Sequence, residues 1–295
     1  MKLGFIGFGG AGYGLAKGLN GAGLEEIHFH DRMQETPPFA EVIERHAADT
    51  GAVRAATVRE LLARAEVVIS CVTGAMAIEV AQEAAPFLGA GQLYADVNTA
   101  APHVKESVAG IVEKTGALFT DAAMMGAIPT FLHRVPILAS GSGAARFLEI
   151  MQPYGMNIRV IGEKPGQASA IKMFRSIFMK GLLSLFLEML TATHRYGVDE
   201  MVLASIAESL DGMPFRETAR VQMTKGTVNA ERMAHEMEEV IATLEELGVP
   251  AEMSRASREK LLRCAGLGLR ERFGGELPST LEEVLGEMER APVKK

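Results

Sequence analysis

The chain has 295 residues, 48% of them hydrophobic, with 30 Lys and Arg against 37 Asp and Glu for a formal net charge of -7. That much apolar material buries a large core divided over two domains, which excludes a disordered or fibrous protein. The acidic balance, without a dense basic block, argues against nucleic acid as a partner; the two cysteines, Cys71 and Cys264, are too few and too far apart for a disulfide framework or a zinc site and fit a reducing, cytoplasmic compartment.

The N-terminus runs Met1-Lys2-Leu3-Gly4-Phe5-Ile6 straight into glycines, so it reads as a first strand and not as a secretion signal. Gly7-Phe8-Gly9-Gly10-Ala11-Gly12 follows and opens a helical pattern, which gives G-x-G-x-x-G the strand-before, helix-after context its chemistry requires. Gly7 permits the tight turn, Gly9 lets backbone approach a pyrophosphate, and Gly12 lets helix and strand pack closely. Phe8, Gly10 and Ala11 complete the candidate contacts at a helix N-terminus whose amides suit phosphates. A dinucleotide site is expected; a glycine-rich turn without a ligand is the plain alternative.

The next strand, Ile27–Phe29, leads to His30-Asp31-Arg32, about 20 residues past the glycines, where an acidic side chain accepts adenosine ribose hydroxyls. Asp31 favours NAD. Arg32 keeps NADP open, because a guanidinium there stacks on adenine or pairs with a 2′-phosphate, and it also reads simply as a solvated loop residue. Further strands are expected at Val67–Val72, Leu93–Val97, Leu118–Thr120, Val135–Ala139 and Ile158–Ile161, separated by Ala/Glu/Leu-rich helices. The alternation predicts an α/β Rossmann domain, a doubly wound parallel sheet. Val72 and Thr73 follow one strand and Asn98 and Thr99 the next, at the carboxyl edge where ligands of open α/β sheets lie. All four are candidate cofactor contacts, Asn98 a substrate contact as well; turn caps are the bland reading.

From Gln167 onward long Met/Leu/Ala/Glu-rich helical patterns predict a second, all-helical domain, with the boundary near Gly162–Gly166 and the domains at 1–163 and 164–295. Ile177 to Ala192 is apolar but interrupted by Lys180 and Glu188, too short and too charged to span a bilayer. Lys172 sits early in the first of these helices, with Arg175 at i+3 and Ser176 at i+4 on its face. On the residues alone such a lysine reads as a solvated charge. His235 and Glu239 share a helix face without a third ligand at suitable spacing, so no metal is expected. Glu289–Lys295 reads as a frayed tail.

Four segments resemble the β-hydroxyacid dehydrogenase family, relatives of 6-phosphogluconate and 3-hydroxyisobutyrate dehydrogenases. Gly4-Phe5-Ile6-Gly7-Phe8-Gly9 resembles its cofactor signature, and Asp96-Val97-Asn98-Thr99-Ala100-Ala101-Pro102 its D-x-S-T-x-x-P loop beside the nicotinamide. Thr120-Asp121-Ala122-Ala123-Met124-Met125-Gly126-Ala127 resembles a degraded D-A-P-V-S-G-G substrate loop, and Gly166-Gln167-Ala168-Ser169-Ala170-Ile171-Lys172 the G-x-G-x-x-x-K helix that presents a catalytic lysine. The resemblance implies NAD or NADP as cofactor, Lys172 as general acid–base, a small-molecule substrate in the cleft between the domains, and a homodimer built from the helical domains. It places the Gly126 amide against the substrate and His235 where the family has a lysine approaching the nicotinamide. Met124 or Met125 stands in place of the family's serine, and Arg175 and Ser176 in place of its asparagine pair, so the chain reads as a divergent subgroup. The activity implied is hydride transfer between a nicotinamide and the hydroxyl-bearing carbon of a small hydroxy acid or related alcohol. An imine or carbonyl reductase of the same architecture, which typically lacks the helix lysine, is the first alternative. A catalytically silent NAD(P)-binding regulatory protein is the second.

Overall fold

The computed structural model describes residues 1–291. In chain order the first part builds β1 (Leu3–Ile6), α1 (Gly10–Gly21), β2 (Ile27–His30), α2 (Phe39–Thr50), β3 (Val53–Arg54), α3 (Val58–Leu62), β4 (Val67–Ser70), α4 (Ala77–Ala84), β5 (Leu93–Asp96), α5 (Pro102–Glu113), β6 (Leu118–Met124), α6 (Ile128–Phe131), β7 (Ile137–Ser140), α7 (Ala144–Met151) and β8 (Ile158–Gly162). These strands form one eight-stranded sheet in the order β3-β2-β1-β4-β5-β6-β7-β8. Neighbours are parallel except β6 and β7, which run antiparallel. Strand order reverses between β1 and β4, the place where doubly wound sheets open a crevice for ligands.

Side-chain alternation explains why both faces of the sheet are covered. Phe5, Val67, Ile69, Leu93 and Ala95 enter a core on one face with Leu15 and Leu19 of α1. Ile6, Val68 and Tyr94 enter a second core on the other face with Val80 of α4 and Val108 and Val112 of α5. The central strands β1, β4 and β5 are buried at every position and read as apolar runs up to Ser70 and Asp96, which close β4 and β5.

Three expectations about element limits need correction. The segment Asp121–Met124, expected as a loop, is strand, because β7 pairs with it from Asp121↔Ser140 to Met124↔Ile137. The edge strand β3 was not anticipated; its two residues are both exposed and too few to carry a period. Glu289, expected in a frayed tail, lies with Arg290 in the last helix, where Arg290 and Arg272 both pair with Glu287, and Ala291 beyond them is buried; residues 292–295 of that tail lie outside the described residues.

The second part is helical: α8 (Gln167–Tyr196), α9 (Asp199–Asp211), α10 (Phe215–Val228), α11 (Ala230–Glu246), α12 (Glu252–Ala265), α13 (Leu269–Arg272) and α14 (Leu281–Arg290). Glu188 of α8 accepts the Met253 and Ser254 amides at 2.7 and 2.9 Å and so caps α12, while Arg195 donates to the Leu247 and Gly248 carbonyls that end α11. Contacts divide the chain into two compact units at Ile177/Phe178. The sequence reading puts the border at 163/164; the first turns of α8 group with the sheet because Ala168 and Ser169 are buried against it. Among the described residues no helix is long and apolar enough to cross a membrane.

Gly12 tests the packing of β1 against α1. A Cβ on Gly12 would stand 2.4 Å from the Gly7 carbonyl oxygen, whereas one on Gly10 meets nothing within 4 Å. In urea unfolding, Gly12→Ala is expected to destabilise the protein by about 1–3 kcal/mol, the range for overpacking, and Gly10→Ala to change it by less than about 0.5 kcal/mol.

Candidate functional site

The turn between β1 and α1 is built for a close approach from outside. Gly7 has φ +91° and its Cβ position lies 2.5 Å from the Cys71 carbonyl oxygen, so this position takes only glycine. Gly9 and Gly10 are exposed, and nothing occupies the space a side chain there would fill. Helix α1 starts with no side-chain cap and no acidic residue in its first turn. Its leading amides, those of Gly10, Ala11 and Gly12, therefore form an electropositive end suited to a diphosphate.

Phe8 departs from its expected cofactor role. Its ring is fully buried and stacks on Phe29 with centroids 4.1 Å apart. Its amide donates to Asp31 Oδ2 at 2.7 Å, and its carbonyl lies 3.0 Å from His46 Nδ1. Phe8 thus anchors the turn in the core and leaves ligand contact to the glycines around it.

A cavity of about 450 Å³ opens beside this turn at the switch point. Its walls include Gly7, Gly9, Asp31, Arg32, Val72 and Thr73. Cys71 also lines it, and burial pushes its thiol up, so this cysteine is an inert wall. Asp31 is fixed by the Phe8 amide on one oxygen and by the Met33 amide, at 2.8 Å, on the other. A carboxylate offers about four lone-pair sites, so both oxygens can still accept hydroxyls. Arg32 reaches α4, with Nη2 at 2.8 Å from Glu79 Oε1 and 3.6 Å from Glu83 Oε2. The Glu79 hydrogen bond holds the guanidinium still more firmly protonated. The open glycines, the bare helix end and a fixed acid at the end of β2 together fit a dinucleotide.

Beyond this cavity lies a buried polar network that sequence reasoning missed. Lys105 of α5 is fully buried; its Nζ lies 2.9 Å from Asp96 Oδ1 and 3.6 Å from Asp121 Oδ1, and it donates to the Asp96 carbonyl at 2.9 Å. Asp121 accepts the Ser169 amide at 2.9 Å and the Ser169 hydroxyl at 2.7 Å, which caps the start of α8. Ser140 Oγ accepts the neighbouring Ala168 amide at 3.1 Å. Two acids share one lysine, and Asp96 Oδ2 has no hydrogen-bond partner among the described residues. Burial accordingly pushes Asp96 above the ordinary carboxylate range despite the lysine. The one advance signal was a lysine on the apolar face of α5, in step with Val108 and Val112.

Asn98 also departs from its expected role. It is 4% exposed, accepts the Val72 amide at 2.6 Å and donates to Ser70 Oγ at 3.0 Å, so its side chain ties the β5 loop to the β4 loop and does not face a ligand. Val72 in turn offers the cavity its side chain and not its amide. The two loops touch: a Cβ on Gly74 would lie 2.1 Å from the Thr99 carbonyl oxygen. Thr99 Oγ1 accepts a hydrogen bond from Lys172 Nζ at 2.9 Å. Lys172 is half-buried one turn beyond the capped start of α8, so the network sets its position.

The remaining candidates are distributed as follows. Arg175 is exposed on α8, and the Ser176 hydroxyl donates back to the Lys172 carbonyl at 2.9 Å, an intrahelical bond that takes up its proton. Met124 and Met125 are half-buried and Gly126 exposed at the end of β6. His235 is exposed on α11 in the helical unit, where it lines a separate polar cavity of about 430 Å³ with Arg232 and Arg270. Among the described residues no three His, Cys, Asp or Glu side chains group as metal ligands.

Comparison with known proteins bears on the same features. Residues 2–162 match the family model described as the NAD binding domain of 6-phosphogluconate dehydrogenase, and residues 193–263 match one described as a domain of unknown function (DUF1932). A solved conserved protein, described as structurally similar to 3-hydroxyacid dehydrogenases, is 32% identical, with 92% of this chain and 99% of that one covered and a TM-score of 0.61. L-threonate dehydrogenase from Cupriavidus necator is 26% identical over 70% of this chain and 69% of its own length. An imine reductase from Myxococcus stipitatus, solved with NADP+, shares the fold at 17% identity, with a TM-score of 0.76 over 98% of this chain and all (100%) of that one.

Removing Lys105 strands two buried acids. Lys105→Met is expected to cost about 3–5 kcal/mol at neutral pH, as for breaking a buried ion pair on one side. Because Asp96 is already raised, the folded chain retains a proton there that the unfolded chain releases near 3.8, so its contribution weakens as pH rises through the elevated value. Urea unfolding at a series of pH values should show a steeper fall of stability with rising pH in the variant than in the parent.

Proposed function

This chain belongs to the family defined by the NAD-binding domain of 6-phosphogluconate dehydrogenase, and we propose that it is an NAD(P)-dependent dehydrogenase of a small hydroxy acid with Lys172 as general acid–base. The observation that carries this reading is the 2.9 Å hydrogen bond from Lys172 Nζ to Thr99 Oγ1. It places an amine by the carboxyl end of β5, level with the ends of β1 and β4 through the registers Ile6↔Ser70 and Ser70↔Asp96. The glycine turn opens from the same edge.

A bound nicotinamide supplies the hydride acceptor at its C4 position. In its unprotonated form Lys172 takes the hydroxyl proton at Nζ while the C–H electron pair leaves with its hydrogen; as the ammonium, it returns that proton in the reverse direction. Thr99 accepts an N–H and so fixes where the lysine nitrogen stands. Arg175 supplies a planar fork for a substrate carboxylate, and the Gly126 amide a second donor. Met124 and Met125 widen the range of apolar groups tolerated beside it. The likeness to L-threonate dehydrogenase supports a polyhydroxy acid as substrate class. An imine reductase needs no base for a hydroxyl proton, and the Lys172–Thr99 pair speaks against that alternative.

We also propose a homodimer in the cytoplasm. Helix α8 buries only Ala168 and Ser169 over 30 residues, while Phe174, Ile177, Leu183 and Leu187 are 69%, 73%, 58% and 63% exposed. Apolar side chains left exposed around so much of one helix suit a second copy of the chain. The free thiols Cys71 and Cys264 suit a reducing compartment.

Lys172→Ala, assayed with a panel of 3-hydroxy acids and aldonates, is expected to lose about 100-fold or more in kcat while nucleotide affinity by calorimetry stays within about threefold. Retained turnover overturns the acid–base assignment. For the dimer, Ile177→Glu with Leu187→Glu should convert a two-chain species to a one-chain species in sedimentation velocity; an unchanged sedimentation coefficient rejects this interface.

A further inference from the structure

We propose that Glu79 and Glu83 of α4 make this chain select NAD over NADP, by occupying the Arg32 guanidinium that a 2′-phosphate needs. The inference rests on the dinucleotide reading of the cavity and adds the choice between its two forms. By sequence, Arg32 leaves that choice open. In the structure the guanidinium is engaged from α4 by Glu79 at 2.8 Å and Glu83 at 3.6 Å.

The charge count around the cavity favours a neutral ribose. Among the described lining residues Arg32 is the one Lys or Arg side chain, and His30 turns its Nδ1 to the Ala55 carbonyl at 3.2 Å. Glu83 and Asp31 line the same cavity, and Glu79 pairs with Arg32 beside them. One guanidinium against three carboxylates leaves a surplus of two negative charges. A 2′-phosphate would bring roughly two more, taking its charge by analogy with other phosphomonoesters near neutral pH. The 2′-hydroxyl of NAD brings none and can donate to Asp31, which its two backbone amides hold ready.

Each Arg32 pair is half-exposed, with side-chain exposures of 49% for Arg32, 58% for Glu79 and 47% for Glu83. A single pair of this kind is weak, and the discrimination comes from the acids acting together. It is screened by salt, because the groups face water within a Debye length of one another. Neither glutamate belongs to a recognised cofactor motif. Their spacing, i and i+4 on α4, puts both on the helix face turned to Arg32.

Calorimetric titration of the full chain with NADH and with NADPH tests this without a substrate. The parent is expected to bind NADH at least about tenfold more tightly at low salt, with the ratio shrinking toward about 0.15 M and above. Glu79→Gln with Glu83→Gln should bring the ratio close to one by tightening NADPH about tenfold, and Arg32→Ala added to that pair should cancel the gain. Circular dichroism and a cooperative urea transition establish that the variants are folded. Should the double variant not fold, Glu79→Gln alone carries the same test at about half the effect in free energy. Equal or tighter NADPH binding by the parent overturns the proposal, and so does a ratio that the folded variants leave unmoved. Binding of neither nucleotide removes the dinucleotide reading itself and this inference with it.

Discussion

The attraction between Lys105 and two buried acids, Asp96 and Asp121, organises everything at the carboxyl edge of the sheet. It joins α5 to β5 and β6, and Asp121 passes the connection on to the first turn of α8 through Ser169. A buried ion set of this kind contributes little net stability compared with apolar packing, because desolvation offsets most of the Coulomb gain. What it supplies is location. The helix that carries Lys172 begins where a carboxylate can cap it, and the loop that carries Thr99 begins where Asp96 ends β5.

Much of the first domain was legible because its physics is local. Strands buried on both faces are near-continuous apolar runs, and β1, β4 and β5 are, with Ser70 and Asp96 closing the last two. The glycine turn was legible because φ +91° at Gly7 and the contact of Gly12 with Gly7 leave no other residue type available. The strand character of Asp121–Met124 was not, since it depends on antiparallel pairing with a segment beyond the next turn. The same holds for the polar network. Nothing near Lys105 in the chain announces Asp121, and a lysine in a helix ordinarily points to water.

The site residues fall into two kinds that a motif does not separate. Gly7, Gly9 and Asp31 present surface to the cavity, whereas Phe8 and Asn98 have side chains committed to the protein itself. Phe8 holds the turn by its ring, and Asn98 holds one loop to the next by its amide. A motif records that these positions matter; only the hydrogen bonds say whether a position touches the ligand or supports a neighbour that does. Arg32 is the converse case, a residue whose type suggests one partner and whose surroundings on α4 supply another.

The absence of clearance between Gly74 and the Thr99 carbonyl has a bearing on redesign. The loops after β4 and β5 touch here, so a side chain added at Gly74 would displace the backbone of the residue whose hydroxyl accepts from Lys172. Under the acid–base role proposed for Lys172, reshaping either loop would therefore move the amine along with the wall of the cavity. The end of β6 is tight in a different way: a Cβ on Gly126 would lie 3.3 Å from both the Phe131 ring and the Val135 side chain, so added volume there presses on side chains that can turn aside and not on a backbone carbonyl.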